Sequence, residues 1–313
     1  MIRRTSLEAL LQQIANTLIL NTGTVQKLGL LDGKMGIALF IYHYAQICEN
    51  KNYRDFAVEL LDEISRELSS DTISANFLYG LTGIGWSIRY LITKKFVDAN
   101  EDVLEEVDES LKNINHSDVL TDIEKQCPFC SKGIYFLEKN NKKVIENIIC
   151  VLNKELSKNT NVLPLSYWNS ILYIILHENL DIDIYLNFLC IIYASMMNSI
   201  KNKHYTFPDV ILLSNIIEQF RQIQNENINY KRWEELLEKL DYDELTGIFN
   251  MGIYKLIFNK LLIDDSYILC KLETMDIENQ IHSMIKDVYR NLNLYNGLAG
   301  VGLTLCIYYS KVI

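Results

Sequence analysis

The chain is poor in proline, in basic charge and in uninterrupted apolar runs. Only 3 of its 313 residues are proline, at 128, 164 and 208. That scarcity disfavours turn-rich β architecture, because proline punctuates strands and turns. Basic residues number 30 against 40 acidic ones, for a net charge of −10. Without a basic run, such a chain is a poor partner for nucleic acid or an anionic membrane surface. The most apolar stretches, 170–177 and 187–200, fall short of the roughly 18 apolar residues a spanning helix needs. The start, Met1-Ile2-Arg3-Arg4, is followed by Glu8, Gln12 and Gln13, which break any signal-peptide core. The expectation is a cytoplasmic protein with no membrane span. Seven cysteines, an odd number scattered through apolar segments, suit reduced thiols better than a disulfide framework.

What is present is 49% hydrophobic residues and 13 glycines, and the glycines organise the chain. Leu31-Asp32-Gly33-Lys34-Met35-Gly36-Ile37-Ala38-Leu39, Leu78-Tyr79-Gly80-Leu81-Thr82-Gly83-Ile84-Gly85-Trp86 and Tyr295-Asn296-Gly297-Leu298-Ala299-Gly300-Val301-Gly302-Leu303 share Gly-x-x-Gly-apolar-small-apolar. Each runs on into a strongly apolar stretch. Weaker copies start at Cys130 (with Gly133) and Glu244 (with Gly247), and the weakest at Ser166 and Asp209. First-glycine positions are thus 33, 80, 130, 166, 209, 244 and 297, at intervals of 47, 50, 36, 43, 35 and 53. Each interval holds two helices and their loops.

Amphipathic segments lie between the copies: Ser6–Leu20, Tyr53–Leu68, Glu101–Ile114, Lys142–Leu156, Asp183–Ile200, Lys231–Leu240 and Met275–Asn291. Period-3.6 amphipathic helices belong on an outer layer, and the more uniformly apolar glycine-led helices inside. Seven inner and seven outer helices in alternation predict an all-α fold, an α/α toroid forming one domain over residues 1–313. The N-terminal helix then becomes the outer partner of the last inner one, which spares the apolar faces at both ends. Glycine at each inner helix start is expected to relieve crowding where the starts converge, or to leave amides uncovered around a pocket.

The stretches GLLDGKMGIALFIYHYA, FLYGLTGIGWSIRYL and LYNGLAGVGLTLCIYY make the chain resemble the lanthionine synthetase C-like family. The resemblance implies the same toroid and a role in peptide modification, of the kind found in lantibiotic biosynthesis, with a peptide or a modification enzyme as partner. Cyclase members of the family add a peptide cysteine thiol to a dehydrated serine or threonine. They hold zinc through two cysteines and one histidine, which generates the thiolate. Those ligands stand before the first glycine of two late repeats, in Trp-Cys-Tyr-Gly-x-Pro-Gly and Cys-His-Gly. The corresponding positions here hold Phe207-Pro208, Tyr242-Asp243 and Tyr295-Asn296. Pro164-Leu165-Ser166 replaces an expected Ala-His-Gly, and Gln126 an expected aspartate. The resemblance thus implies a member without cofactor, a pseudoenzyme for zinc cyclisation, with zinc returning only if Cys127 and Cys130 find further ligands.

Six residues are the candidates for a cavity rim, although none is assigned a catalytic role. Asp32, Tyr79, Asp243 and Asn296 stand immediately before their first-glycine positions. Cys127 and Cys130 open the third inner helix, at a spacing that suits metal chelation or a dithiol, though two ordinary thiols are the simpler reading. Asp32 and Asp243 could act as acid and base, but a carboxylate there also caps a helix. Hence two further classes stay open: altered chemistry through Cys127/Cys130 or Asp32/Asp243, and a structural interaction protein. His43 and His177 lie on apolar helices and read as core histidines, and His116 as loop.

Overall fold

The computed structural model describes residues 4–68, 74–113, 127–156, 163–178, 180, 182–223, 227–243, 245–259 and 263–309. Among them there are fifteen α-helices, four short 3-10 segments and no strand, so the chain is all-α. His116, Gln126 and Glu244 lie outside the described residues. The chain divides into two compact units.

The first unit comprises Met1–Glu109, Gly247–Ile257 and Asp264–Ile313. Its inner helices are α2 (Lys34–Cys48), α4 (Leu81–Thr93), α12 (Met251–Ile257) and α15 (Leu298–Tyr309). Its outer helices are α1 (Arg4–Asn21), α3 (Lys51–Leu68), α13 (Asp265–Glu273) and α14 (Ile277–Lys286). The distinction is visible in burial. On α3 only Ala57, Leu60 and Ile64 are buried, one stripe at three-to-four-residue spacing. On α15 every residue except Ile307 is buried. The last inner helix, α15, packs on the first, α2, and α1 packs on α15. The pairing of chain ends that a helical toroid requires is therefore present within this unit.

The second unit comprises Ser110–Thr246 and Phe258–Ile263. Inner helices α6 (Ser131–Glu138), α8 (Leu165–His177) and α10 (Phe207–Ile223) pack in that order, α6 on α8 and α8 on α10. Outer helices α7 (Lys142–Leu156), α9 (Ile182–Lys201) and α11 (Tyr230–Glu238) cover α6, α8 and α10 respectively. Helix α5 (Glu105–Asn113) runs across the unit boundary. Within α9, Asp183–Lys201 is long and apolar enough to cross a membrane by length and composition. Its Phe188, Ile192, Met196 and Ser199 are buried at helical spacing, so one face of this outer helix is packed.

Two details differ from the sequence reading. The seventh outer element is two helices, not one, because Asp264 caps α13 by accepting from Ser266 N (2.9 Å) and Tyr267 N (3.3 Å). That helix buries only Ile268 and Leu272, too short a stripe to stand out as a period. The weakest copies also start early: α8 at Leu165, with Pro164 at its cap, and α10 at Phe207 rather than at Asp209. Asp209 Oδ2 instead accepts from Thr206 N at 2.8 Å, a carboxylate three residues into the helix reaching back to its start.

Candidate functional site

The segments leading into the inner helices hydrogen-bond in series. In the first unit, Tyr295 N donates to Leu31 O (3.0 Å), Leu31 N to Leu78 O (3.1 Å) and Asp32 N to Leu78 O (2.9 Å). Asn296 N donates to Asn250 Oδ1 (2.9 Å), and Asn250 Nδ2 donates back to Asn296 Oδ1 (2.7 Å). In the second unit, Cys130 N donates to Ser170 Oγ (2.7 Å), Asn169 Nδ2 to Asp209 O (2.8 Å) and Phe207 N to Thr246 O (3.0 Å). Each unit therefore holds its helix starts together by a mixture of backbone and side-chain hydrogen bonds.

The glycines act on their own approach loops. A Cβ at Gly36 would come within 2.2 Å of Leu30 O, one at Gly83 within 2.6 Å of Phe77 O, and one at Gly300 within 2.1 Å of Leu294 O. The contact is the same in all three sharp copies, with the carbonyl six residues upstream. The first glycines are the residues just before α2 and α4, and they lie in extended backbone (Gly33 φ 175°, Gly80 φ −113°). Sterics, not a left-handed conformation, select glycine there. Nor are the helix-start amides uncovered. Lys34 N donates to Lys27 O (2.9 Å), Met35 N to Leu28 O (3.1 Å) and Leu81 N to Ser74 O (2.8 Å). The crowding reading holds: the second glycine of each sharp copy faces its own loop, whereas Gly302 faces the Phe40 ring, Gly252 Thr304 and Gly133 Ile174.

In the first unit, Asp32 does not cap α2, since Gly33 occupies the cap with no side-chain bond. Its carboxylate pairs with Lys27 instead. Lys27 Nζ also lies 5.5 Å over the Tyr79 ring, so Asp32 and Tyr79 meet around one lysine. Asn296 adopts φ 63° and forms the reciprocal pair with Asn250. Asparagine tolerates the left-handed region better than most residues. Lys27 and Asn250 were not singled out from the sequence. The only signal was that Lys27 precedes Gly33 by six residues and Asn250 follows Gly247 by three.

In the second unit, Asp243 heads a turn rather than capping a helix, since Gly247 is the cap residue of the 3-10 segment that follows. It accepts from Leu245 N (3.0 Å) and Thr246 Oγ1 (3.1 Å), and its turn precedes Gly247. Cys127 and Cys130 are both fully buried, with Cys127 Sγ 3.2 Å from Ser131 Oγ. Among the described residues, no three His, Cys, Asp or Glu side chains cluster as a ligand set. The Phe207 and Tyr242 rings stack, with centres 6.1 Å apart.

Titratable groups shifted from their ordinary values lie elsewhere in the first unit. Lys34, at the start of α2, is buried and reaches Glu63 (2.6 Å) and Glu67 (3.1 Å) on α3. Burial alone would lower its pKa, but the two carboxylates outweigh that and hold it above the ordinary lysine value. Glu63 is held below the usual carboxylate range by its bond to Lys34. Towards the other end of α2, His43 Nε2 meets Tyr90 OH at 3.0 Å, and the His43 ring packs against Phe96 at 5.0 Å. Burial, with Lys94 adding repulsion, pushes His43 down to about 4. His177, the last residue of α8, packs on Tyr173 with ring centres 4.2 Å apart.

Comparison with known proteins gives one match. The family model described as lanthionine synthetase C-like protein matches residues 24–170, a little under half of the 313-residue chain. No curated protein matches. No solved structure matches either.

Proposed function

We propose that the chain, which over residues 24–170 matches the lanthionine synthetase C-like family model, is a member of that family that binds or helps to modify peptides without zinc. The working place is the cytoplasm, in lantibiotic-type peptide biosynthesis, with a peptide or its modifying enzyme as partner. One observation carries the metal-free part of the reading. In the repeat register read from the sequence, the family's thiolate and imidazole ligand positions fall at Phe207-Pro208 and Tyr242-Asp243, and the Phe207 and Tyr242 rings stack. A zinc cyclase needs those donors to hold the substrate thiol as thiolate. The exposed Tyr242 ring, backed by the buried Phe207, offers a peptide a small apolar face with one hydroxyl, which suits binding rather than Lewis-acid chemistry.

The test uses the untagged full chain. Metal content is measured by plasma mass spectrometry before and after incubation with excess zinc. A peptide carrying one dehydroalanine and one cysteine is then offered with and without zinc. The expected result is substoichiometric zinc throughout, no thioether formation, and retention of the peptide in equilibrium binding that Tyr242→Ala weakens. Stoichiometric zinc lost in a Cys127→Ser/Cys130→Ser variant, or zinc-dependent thioether formation, would overturn the reading.

A further inference from the structure

The C-terminal end of α2 opens on a cavity of about 330 Å³, within the first unit. It lies roughly 20 Å along α2 from Gly33, given 15 residues at 1.5 Å each. Tyr42 and Phe96 form its apolar side, and Lys51, Arg54, Lys94 and Lys95 its charged side, with Glu49 as the one lining carboxylate. Four cations against one carboxylate is unexpected in a chain of net charge −10. Asp55 partly offsets Lys51 at 3.8 Å. Among the described residues, neither Lys94 nor Lys95 has a carboxylate partner. The start of α3, which begins at Lys51, adds the partial positive charge of a helix N-terminus.

The turn that carries Lys94 and Lys95 is closed by backbone bonds. Lys94 N donates to Tyr90 O (2.9 Å), Lys95 N to Ile92 O (2.9 Å) and Phe96 N to Leu91 O (2.9 Å), a closed turn after α4 with Lys95 at φ 59°. Arg54 Nη2 donates to Phe96 O at 3.4 Å, which leaves its other donors available. A second, independent feature points to a ligand. Tyr42 is only 2% exposed, yet its hydroxyl has no hydrogen-bond partner among the described residues. A buried hydroxyl left unpaired costs about 1–3 kcal/mol, so a partner that reaches it is favoured.

We propose that this cavity binds a small organic anion. Its phosphate or carboxylate head lies between Arg54 and Lys94, the Tyr42 hydroxyl donates to it, and its apolar part rests on Phe96. The chemistry is that of charge-assisted hydrogen bonds on a partly apolar floor. The volume limits the ligand to a small molecule. This inference is independent of the proposed peptide role, since no residue of the cavity belongs to the candidate rim.

Isothermal titration at low ionic strength tests it with three probes: phenyl phosphate, benzoate and phenol. At least one anion is expected to bind one-to-one, and phenol not to bind. Phenyl phosphate binding above benzoate would identify a phosphate head; the reverse would identify a carboxylate. Arg54→Gln/Lys94→Gln is expected to weaken binding tenfold or more, and Tyr42→Phe about threefold, with unchanged circular dichroism. Lys142→Gln/Lys143→Gln, on α7 of the second unit, removes the same charge and should leave affinity unchanged. No binding of either anion, or equal weakening by the Lys142/Lys143 variant, would overturn the proposal.

Discussion

The two ends of α2 are built on opposite terms. At its start, everything is spoken for: the first amides donate to Lys27 O and Leu28 O, Gly36 sits against Leu30 O, and Lys34 is paired twice. At its far end there is spare chemistry: a cavity, and, among the described residues, a Tyr42 hydroxyl without a hydrogen-bond partner and Lys94 and Lys95 without carboxylate partners. The repeat's most recognisable residues thus serve folding, and the less recognisable end holds unused binding capacity. In a repeat protein this division makes physical sense. The helix start must fit its own loop in every copy, whereas the helix end is free to differ.

Four changes would break or sharpen that contrast. Gly36→Val places a Cβ 2.2 Å from a carbonyl oxygen and 2.7 Å from the Leu294 side chain. It should cost about 4 kcal/mol or prevent folding, read by thermal denaturation. Recovery of wild-type stability in Gly36→Val would mean that the start is not closed as described.

The second change acts at the far end, through pH. His43 has its folded pKa below the ordinary histidine value of 6.5, at about 4, so it is neutral in the fold. The unfolded chain binds the extra proton, so stability is complete above about pH 6.5 and falls as pH drops towards 4. The loss has an upper limit of about 3 kcal/mol. Denaturant titrations across that range should show this slope, and His43→Gln should flatten it.

The third returns to the start of α2. Glu63 is held below its usual value by Lys34, so its contribution is present above the unfolded carboxylate pKa and is lost as pH falls below it. Lys34→Met should remove that acid-side slope and lower stability by about 1–2 kcal/mol at neutral pH. An unchanged slope would show that the buried lysine does not anchor α2 to α3. The smallest effect is expected at Asp32. Its pair with Lys27 is exposed, and Asp32→Asn should shift stability by less than about 0.5 kcal/mol. A larger loss would give the rim carboxylate a structural role that its geometry does not suggest.

Much of the helical layout was legible in the sequence. The outer segment predicted at Lys142–Leu156 is α7, and α3 spans Lys51–Leu68 against a predicted Tyr53–Leu68. Such segments carry their own signal, because one stripe of apolar residues declares both period and face. The copies at Ser166 and Asp209 were read one and two residues late. There a proline and a reaching-back aspartate set the helix start, and the glycine rhythm has nothing to mark. Of the candidate rim, Asp32 and Tyr79 do come together, but around Lys27, which the glycine register does not single out. Asn296 finds its partner 46 residues away, at Asn250. Cys127 and Cys130 are close in sequence and buried together, and no further ligand joins them among the described residues.

The sequence by itself determined the all-helical class, the alternation of apolar and amphipathic helices, and the pairing of the last inner helix with the first. Those follow from composition and from periods of a few residues, so they are local quantities. Only the tertiary structure decided what each glycine faces, which carboxylates receive Lys34, and that Tyr42, Arg54 and Lys94 share a wall. Those depend on residues brought together from three different helices and their loops. No local pattern records such distances, because the separations between helices are set by packing and not by the chain's order.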